Sequence, residues 1–289
     1  MPRQVTNPNV IQGPYQLPNK RPACESIWHC KCTYDHMTKA TQCLIMAAGN
    51  GSRLRSVSAG LPKPLVQFCG EPIIEHVIRG VHSCGIDKFV IVVGYRSDLI
   101  RGWFQNRRPD GVSVTFVENP DYHKSNGVSA LKAQHEIDGN FLLLMSDHVF
   151  EPETARALIQ QPLAPGEVIL AVDSKVDHIF DLDDATKVRR DGNFIVDIGK
   201  DLASYDSLDT GMFLCSRALF ARLQAASKDG DCSLSDGMRQ LARARKLRAW
   251  QIGDSRWHDL DTPEALLHAE VMLDNRFRHN PGAERLTYV

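Results

Sequence analysis

Long apolar runs recur along most of this 289-residue chain, and segments with helical patterns separate them. The runs "QCLIMA", "KFVIVVGY", "NFLLLMSD" and "EVILAVD" have the length of strands and are apolar on both sides. Such strands are buried on both faces, which is typical of a parallel sheet covered by helices. Between them, "EPIIEHVIRGVHSCGI" places apolar residues at helical spacing. The pattern predicts a doubly wound α/β domain with helices on both faces of a mostly parallel sheet.

The pattern changes in the second half of the chain. "TKVRRDGNFIVDIGK" predicts a hairpin that turns at Asp191 and Gly192, and "SLDTGMFLCS" and "KLRAWQIG" predict two further strands. The last helix is predicted over "TPEALLHAEVMLDNRF", with Thr262 as its cap and Pro263 in its first turn. The sheet is therefore expected to be mixed, and the domain is expected to cover residues 42–289.

Residues 1–41 differ from the rest, because they hold five prolines and show neither helical nor strand periodicity. They are predicted to form a disordered or loosely attached tail. Within the tail, "CESIWHCKC" and His36 gather three cysteines and two histidines. A zinc site is one interpretation, although the Cys30-x-Cys32 spacing is not the gap of common zinc motifs. Another interpretation is that the natural chain begins at Met37, just before the first strand.

Composition excludes several classes of function. The formal net charge is -1, so no overall positive field attracts nucleic acid or an anionic membrane. No apolar run approaches the roughly 20 residues that cross a bilayer, and no secretory signal is recognisable. Cysteines inside apolar segments are interpreted as reduced, buried thiols. We therefore expect a cytoplasmic protein without membrane insertion and without a nucleic-acid partner.

A glycine-rich turn, "AAGNGSRLR", follows the first predicted strand. In open α/β sheets, ligands bind beyond the carboxyl ends of the strands, often at this first turn. Gly49 and Gly51 allow positive φ and close approach of the backbone to a ligand. Successive N–H groups that face one way form a concavity for anions. The turn is therefore a candidate phosphate site.

Two familiar phosphate loops do not fit this turn. A dinucleotide fingerprint needs a third glycine where Leu54 stands, and a P-loop needs a closing Gly-Lys-Ser/Thr that is missing here. Instead, Arg53 comes two residues after Gly51, and Lys63 comes after a Gly-Leu-Pro bend. Two spaced cations suit a triphosphate that the loop surrounds, because they can stabilise charge that develops on phosphorus. The alternative is a surface turn with solvated cations.

Carboxylates follow two other strands. Asp147 ends the run "LLLMSD", and Asp259 and Asp261 precede the last helix in "WHDLDTPEAL". Mg²⁺ that bridges phosphates needs only one or two protein carboxylates, so these residues are candidate ligands. The alternative role for such residues is helix capping, and for Asp261, which could cap together with Thr262, both roles stay open.

The loop "ENPDYHKSNGVSAL" offers Asn119, Asn126, Gly127 and Ser129 between a strand and the helix predicted over "GVSALKAQHEI". Amide groups carry both a donor and an acceptor, so they can pair with the edge of a pyrimidine base. The alternative is turn and cap chemistry, in which the same residue types are common.

Taken together, "AAGNGSRL" and "PKPL" resemble the signature of the nucleotidyltransferases that act on sugar phosphates, choline phosphate and related phosphomonoesters. The resemblance implies a Rossmann-like nucleotidyltransferase fold, Mg²⁺ on Asp147 and Asp259, and catalysis by Lys63 and Arg53. Many members carry Asp-x-Asp where this chain has Asp147-His148, and His148 is not expected to bind Mg²⁺ directly. The implied nucleotide-binding residues are Ala47, Ala48, Gly49, Gly51, Ser52, Asn119, Asn126, Gly127 and Ser129.

The later segments "MSDHV", "ATKV", "IGK", "DTGMF" and "DLDTPE" resemble archaeal-type CTP:inositol-1-phosphate cytidylyltransferases, which make CDP-inositol. The resemblance implies an acceptor pocket lined by Lys187, Lys200, Asp209, Thr210 and Gly211. Lysines suit a phosphate dianion and carboxylates suit polyol hydroxyls, although Lys187 could equally be an exposed strand cation. Bifunctional relatives continue into a membrane-spanning transferase, so a separate membrane-bound enzyme is expected to use the CDP product.

Three alternatives remain open from the sequence. The acceptor could be phosphocholine, an aminophosphonate or a sugar 1-phosphate, and the nucleotide could be another NTP. In a different class, the chain could be a nucleotide-binding regulatory protein without turnover. Retention of Arg53, Lys63, Asp147 and Asp259 together argues against that last alternative.

Overall fold

The computed structural model describes residues 39–176 and 182–279. Most of the predicted tail, with its cysteine and histidine cluster and Met37, lies outside these residues. The strands within them are β1 (Gln42–Ala47), β2 (Gln67–Phe68), β3 (Glu71–Pro72), β4 (Lys88–Val93), β5 (Ser113–Glu118), β6 (Phe141–Met145), β7 (His148–Phe150), β8 (Val168–Asp173), β9 (Lys187–Asp191), β10 (Phe194–Gly199), β11 (Ser207–Cys215), β12 (Leu247–Gln251) and β13 (Trp257–Asp259). The helices are α1 (Ile73–His82), α2 (Ser97–Arg107), α3 (Asn126–Lys132), α4 (Pro152–Ile159), α5 (Ala218–Ala226), α6 (Leu234–Arg243) and α7 (Pro263–His279).

Nine of the strands form one sheet in the order β5-β4-β1-β6-β11-β8-β12-β10-β9. β5, β4, β1 and β6 are parallel, and β8 and β12 are also parallel to each other. β11 lies antiparallel between β6 and β8, and β9 and β10 form the predicted hairpin. The prediction of a mostly parallel, mixed sheet is therefore confirmed.

Apolar cores cover both faces of the sheet, as the two-sided apolar strands require. One core contains Ile74, Val77, Ile78 and Val81, the predicted apolar stripe of α1, together with residues of α2 and α4. The other core contains buried residues of α3, α5 and α6. None of the helices in the described ranges has the length and apolarity that a membrane span requires.

A third, smaller apolar cluster positions the glycine turn. Leu54, which stands where a dinucleotide-binding turn has glycine, is completely buried in this cluster. It packs there with Leu260, just after β13, and Leu266 of α7. The cluster therefore places the turn after β1 beside the segment that carries Asp259 and Asp261, although about 200 residues separate them along the chain.

Two features of the fold differ from the sequence prediction. The two short antiparallel pairs, β2 with β3 and β7 with β13, were not predicted, and the second pair sets Asp259 opposite His148. Helix α3 ends at Lys132, whereas the apolar pattern predicted helix through Ile137. Tight turns replace the last predicted turns of helix, because the N–H groups of Gln134 and Glu136 each bond a carbonyl three residues earlier.

Candidate active site

Lys63, the second candidate cation, packs directly against Gly51 of the glycine turn. Gly51 has φ +55°, in the left-handed region that favours glycine, and a Cβ added there would lie 2.6 Å from the Cβ of Lys63. Lys63 is 7% exposed. Glycine is therefore required at residue 51 both for its conformation and because the Lys63 backbone passes directly over it.

Three carboxylates surround the ammonium group of Lys63. Its Nζ lies 2.5 Å from Asp147 Oδ2 and 3.8 Å from Asp259 Oδ1, and it also forms an ion pair with Asp261. Burial raises the pKa of Asp147, but the charges of Lys63 and His148 outweigh burial, so that the pKa lies below its ordinary value. The structure therefore brings Lys63 and the two candidate metal carboxylates, Asp147 and Asp259, together in one place.

Arg53 is held by two carboxylates on the other side of the turn. Its guanidinium donates to Asp184 Oδ2 at 2.6 Å and forms an ion pair with Asp261. The second oxygen of Asp184 lies 2.5 Å from the Nζ of Lys200, which follows β10. Asp184 therefore joins the cation of the glycine turn to a lysine of the predicted acceptor pocket. The sequence did not single out Asp184, because it is one of several aspartates in an acidic run without a spacing of its own.

Asp261 has a different role from the capping one that the sequence left open. Its carboxylate contacts Lys63 and Arg53, while the hydroxyl of Thr262 accepts the Ala265 N–H at 3.1 Å and caps α7. The cap is therefore complete without Asp261. Its side chain instead pairs with the two cations Lys63 and Arg53.

His148 lies between the two predicted metal carboxylates. Its Nδ1 lies 2.8 Å from the Thr210 carbonyl oxygen and donates to it, while Nε2 lies 3.4 Å from Asp259 Oδ2 and 3.8 Å from Asp147 Oδ1. Burial by itself lowers the pKa of His148, but the Asp259 and Asp147 carboxylates and the Thr210 carbonyl raise it to about 9.

The carboxylates fit a divalent cation. Asp147 Oδ1 and Asp259 Oδ1 are buried oxygens that receive no hydrogen bond from any residue in the described ranges. Ligand atoms of Asp147, His148 and Asp259 lie within 4.8 Å of one another, and so do those of Asp184, Asp259 and Asp261. Buried anionic oxygens without donors are costly unless a cation satisfies them. These residues could therefore hold such an ion.

Two cavities meet where these cations and carboxylates lie together. A cavity of about 250 Å³ is lined by Ala48, Gly49, Gly51 and Ser52 of the glycine turn. Lys63 and Ser129 also line it. A cavity of about 580 Å³ opens toward the second half of the sheet and is lined by the predicted acceptor residues Lys200, Asp209 and Gly211. The wall shared by both cavities consists of Arg53, Asn126, Met145, Asp147 and Asp261. Ligands in the two cavities would therefore face each other across the carboxylates.

Two residues predicted to contact the base lie behind the cavity wall. Asn119 is completely buried, and its amide donates to Ser129 Oγ at 2.8 Å and accepts from the Asp121 N–H at 3.0 Å. Gly127 packs against the backbone just before α6, since an added Cβ would lie 2.6 Å from the Cys232 carbonyl oxygen. Among the described residues of this loop, Asn126 and Ser129 line the smaller cavity. Asn119 therefore positions Ser129 and has no amide edge directed at the cavity.

Three other residues predicted to contact a substrate, Ala47, Thr210 and Lys187, line neither of these two cavities. Ala47 is buried at the end of β1. The Thr210 hydroxyl donates to the Ala171 carbonyl at 2.8 Å, and Lys187 Nζ donates to the Lys200 carbonyl at 2.9 Å. Thr210 therefore holds β11, which carries Asp209, against β8, and Lys187 holds the backbone of Lys200 just after β10.

A buried bond that the sequence did not indicate fixes β13. The indole Nε1 of Trp257 donates to Asp173 Oδ2 at 3.0 Å, and Asp173 also forms an ion pair with Lys175 at 2.8 Å. Trp257 lies two residues before Asp259. The bond therefore ties the short strand that carries Asp259 to the end of β8.

Comparison with known proteins places this geometry in context. The family model described as the MobA-like NTP transferase domain matches residues 43–249. The chain is 37% identical to the "Bifunctional IPC transferase and DIPP synthase" of Rubrobacter xylanophilus over 79% of this chain and 51% of that protein. It is 32% identical to the protein of the same name from Thermococcus kodakarensis over 80% of this chain and 50% of that protein. The chain thus spans about half the length of these curated relatives.

A solved structure shares the fold over nearly its whole length. The inositol-1-phosphate CTP transferase from T. maritima superposes with a TM-score of 0.72 at 26% identity. The match covers 83% of this chain and 97% of that structure.

Proposed function

The chain belongs to the MobA-like NTP transferase family, and we propose from that premise that it transfers a cytidylyl group from CTP to inositol 1-phosphate and releases pyrophosphate. CTP and the inositol acceptor are suggested by the names of the relatives, which include an IPC transferase and an inositol-1-phosphate CTP transferase. The observation that carries the proposal is that Lys63, which lines the smaller cavity, pairs with Asp147 and Asp261, which line both cavities.

The smaller cavity is the proposed site of the triphosphate. Gly49, Gly51 and Ser52 line this cavity, and backbone N–H groups of such a turn suit the β- and γ-phosphates. The Ser52 N–H donates to Asn50 Oδ1 at 3.2 Å and would exchange that partner for a phosphate oxygen. Arg53 is already paired with carboxylates, so phosphate oxygens exchange with these partners without bringing an unpaired cation into the site. The loop therefore orients the nucleotide with its α-phosphate toward the shared wall.

Asp147 and Asp259 are the proposed ligands of Mg²⁺, since each has a buried oxygen without a donor. When bound, the ion neutralises charge on phosphate oxygens and allows two anionic groups to approach each other. Lys63 adds a fixed, buried positive charge beside the same carboxylates. Its ammonium is aimed at the place where negative charge increases on the α-phosphorus during transfer.

The transfer is a single in-line displacement. An oxygen of the acceptor phosphate forms a bond to the α-phosphorus of CTP, while the bond from that phosphorus to the bridging oxygen breaks and pyrophosphate leaves. A general base is not required, because a phosphate monoester is largely a dianion near neutral pH. Both substrates face the shared wall at once, which suits direct transfer without a covalent enzyme intermediate.

The larger cavity is the proposed acceptor site. Lys200 supplies a cation for the acceptor phosphate, and Asp209 supplies a carboxylate for hydroxyl groups. Burial raises the pKa of Asp209 to about 6, so the carboxyl is mostly ionised at pH 7 and accepts hydrogen bonds. A polyol phosphate matches this combination better than an acceptor with a quaternary ammonium group, for which an aromatic cage would be expected.

The test is pyrophosphate release from each of the four NTPs combined with inositol 1-phosphate, phosphocholine, 2-aminoethylphosphonate or glucose 1-phosphate. We expect CTP with inositol 1-phosphate to give the highest kcat/KM, and EDTA to abolish turnover. Asp147→Asn should abolish turnover as well. Lys88 is an exposed cation at the start of β4, at the end of the strand away from the site, so Lys88→Met should leave turnover unchanged. A higher kcat/KM with another pair would replace the substrate assignment. Tight nucleotide binding without turnover for any pair would indicate a regulatory protein.

A further inference from the structure

We propose that His148 is a third protein ligand of the cation site, and that its nitrogen gives this site selectivity for a borderline transition-metal dication over Mg²⁺. The inference rests on the proposed function for the location of the site at Asp147 and Asp259. It goes beyond that function because it assigns a donor to the site that the carboxylates alone do not provide.

The first argument is the orientation of the imidazole. Nδ1 donates to the Thr210 carbonyl oxygen at 2.8 Å, which fixes the ring and leaves Nε2 facing Asp147 and Asp259. Histidines that bind metals almost always donate their other ring N–H to a carbonyl or a carboxylate in this way. The second nitrogen is therefore presented as a ligand would be.

The second argument is the spacing of the three ligand atoms. Nε2 lies 3.4 Å from Asp259 Oδ2 and 3.8 Å from Asp147 Oδ1. Both separations exceed the range of about 2.7–3.2 Å for a good N–H···O bond. Two atoms bound to one ion by bonds near 2.1 Å can be at most about 4.2 Å apart, and they are about 3.0 Å apart at right angles, so both separations are short enough for one ion to be shared. Asp147 Oδ1 is also a buried oxygen that receives no hydrogen bond in the described chain, while the other oxygen of the same carboxylate pairs with Lys63.

The third argument is that neighbouring backbone and side chains hold the ring in place. A Cβ at Gly211, which has φ +74°, would lie 2.2 Å from His148 Nδ1. On another side, the Trp257 ring lies with its centroid 5.5 Å from that of the imidazole. The fold therefore leaves room for this imidazole only because residue 211 is glycine, and the ring cannot easily turn away from the carboxylates.

The expected consequence is a difference between metals. Mg²⁺ prefers oxygen ligands and gains little from an imidazole, whereas Co²⁺ and similar ions bind imidazole well. The competing explanation is that His148 acts only as a cation paired with the two aspartates. Under that explanation, its removal would leave the affinity for Co²⁺ unchanged or would increase it, because a positive charge would be lost.

The test is direct binding of Co²⁺ alone and of Mg²⁺ alone, by calorimetry and by the visible absorption of Co²⁺, on protein without a histidine tag or nucleotide. The site is defined as the Co²⁺ binding that Asp147→Asn removes, which separates it from any binding by the cysteines and histidines before Met37. We expect His148→Ala to weaken Co²⁺ binding at this site at least about tenfold and to change its spectrum, with Mg²⁺ affinity within about twofold. His135→Ala, an exposed histidine after α3, is the matched control.

Unchanged or tighter Co²⁺ binding in His148→Ala would overturn the inference. If that variant does not fold, His148→Gln, which retains a side chain of similar size without the ring nitrogen, answers the same question. Because binding is measured without turnover, a failure of the proposed cytidylyl transfer would leave this result readable. Equally, a failure here would leave the pyrophosphate assay unaffected.

Discussion

Replacing Gly51 with alanine tests whether the glycine turn positions Lys63. The residue adopts φ +55°, and a Cβ there would lie 2.6 Å from the Cβ of Lys63. A left-handed conformation costs a residue with a Cβ about 1–2 kcal/mol. Overpacking against an atom fixed to the backbone adds about 1–3 kcal/mol. We therefore expect Gly51→Ala to lower the free energy of unfolding by roughly 2–5 kcal/mol.

The effect on activity follows from the displacement of Lys63. Restoring an ordinary contact of 3.4 Å from 2.6 Å requires a shift of about 0.8 Å, taken up by the turn or by Lys63. Misplacement of a catalytic group by about 1 Å can reduce the rate about 100-fold. Pyrophosphate release from CTP and inositol 1-phosphate should therefore show a fall in kcat of about that size.

The control is Gly60→Ala. Gly60 also has a left-handed conformation, with φ +81°, but an added Cβ there meets no atom within 4 Å. It should show the strain of about 1–2 kcal/mol without the loss of activity. Equal activity of the two variants, measured under conditions where both are folded, would refute the claim that contact between Gly51 and Lys63 positions the cation.

Three further predictions concern charge, pH and packing. Lys63→Met keeps the side-chain volume but removes the charge, so kcat for pyrophosphate release should fall at least about 100-fold, with a smaller change in KM. Burial raises the pKa of Asp209 from its ordinary 3.8 to about 6, so the folded state binds this proton more tightly than the unfolded chain and loses stability as pH rises from about 4 to 6. Denaturation of Asp209→Asn across that range should lack this loss, which is at most about 3 kcal/mol. Trp257→Phe removes the buried bond to Asp173 and should cost about 1–3 kcal/mol in urea denaturation, and an unchanged midpoint would contradict the importance of that bond.

The parts of the fold that the sequence predicted are those that depend on local patterns. The buried strands and α1 follow from the apolar periodicity of short segments, and the mixed second half follows from the hairpin at Gly192. The pairing of β7 with β13 was not predictable in the same way. Each strand has three residues, and their partners are about 100 residues apart, so no local pattern marks the pair.

The candidate site shows the same division. Arg53, Lys63 and Asp147 lie in or after the turns that follow strands of the large sheet, and topology brings such positions to one edge of the sheet. Asp259 ends β13, outside that sheet, and reaches the site through the pair with β7. Asn119 carries the same amide chemistry as Asn126, but its side chain turns inward to bond Ser129, and sequence cannot show that direction. Residue type and spacing therefore indicated the centre of the site, whereas side-chain direction decided its walls.

The two cavities that share a wall are built mostly from different parts of the chain. The smaller cavity is built by the turns that follow the first parallel strands, and most of the larger one comes from residues after β6. β6 ends the first part, and β11 of the second part pairs with it. A chimera joined after β6 must therefore preserve the four residue pairs of this antiparallel ladder. A graft that respects the ladder would exchange most of the larger cavity, and it would have to bring back Asp147, Asp259 and Asp261, which also lie after β6 and surround Lys63.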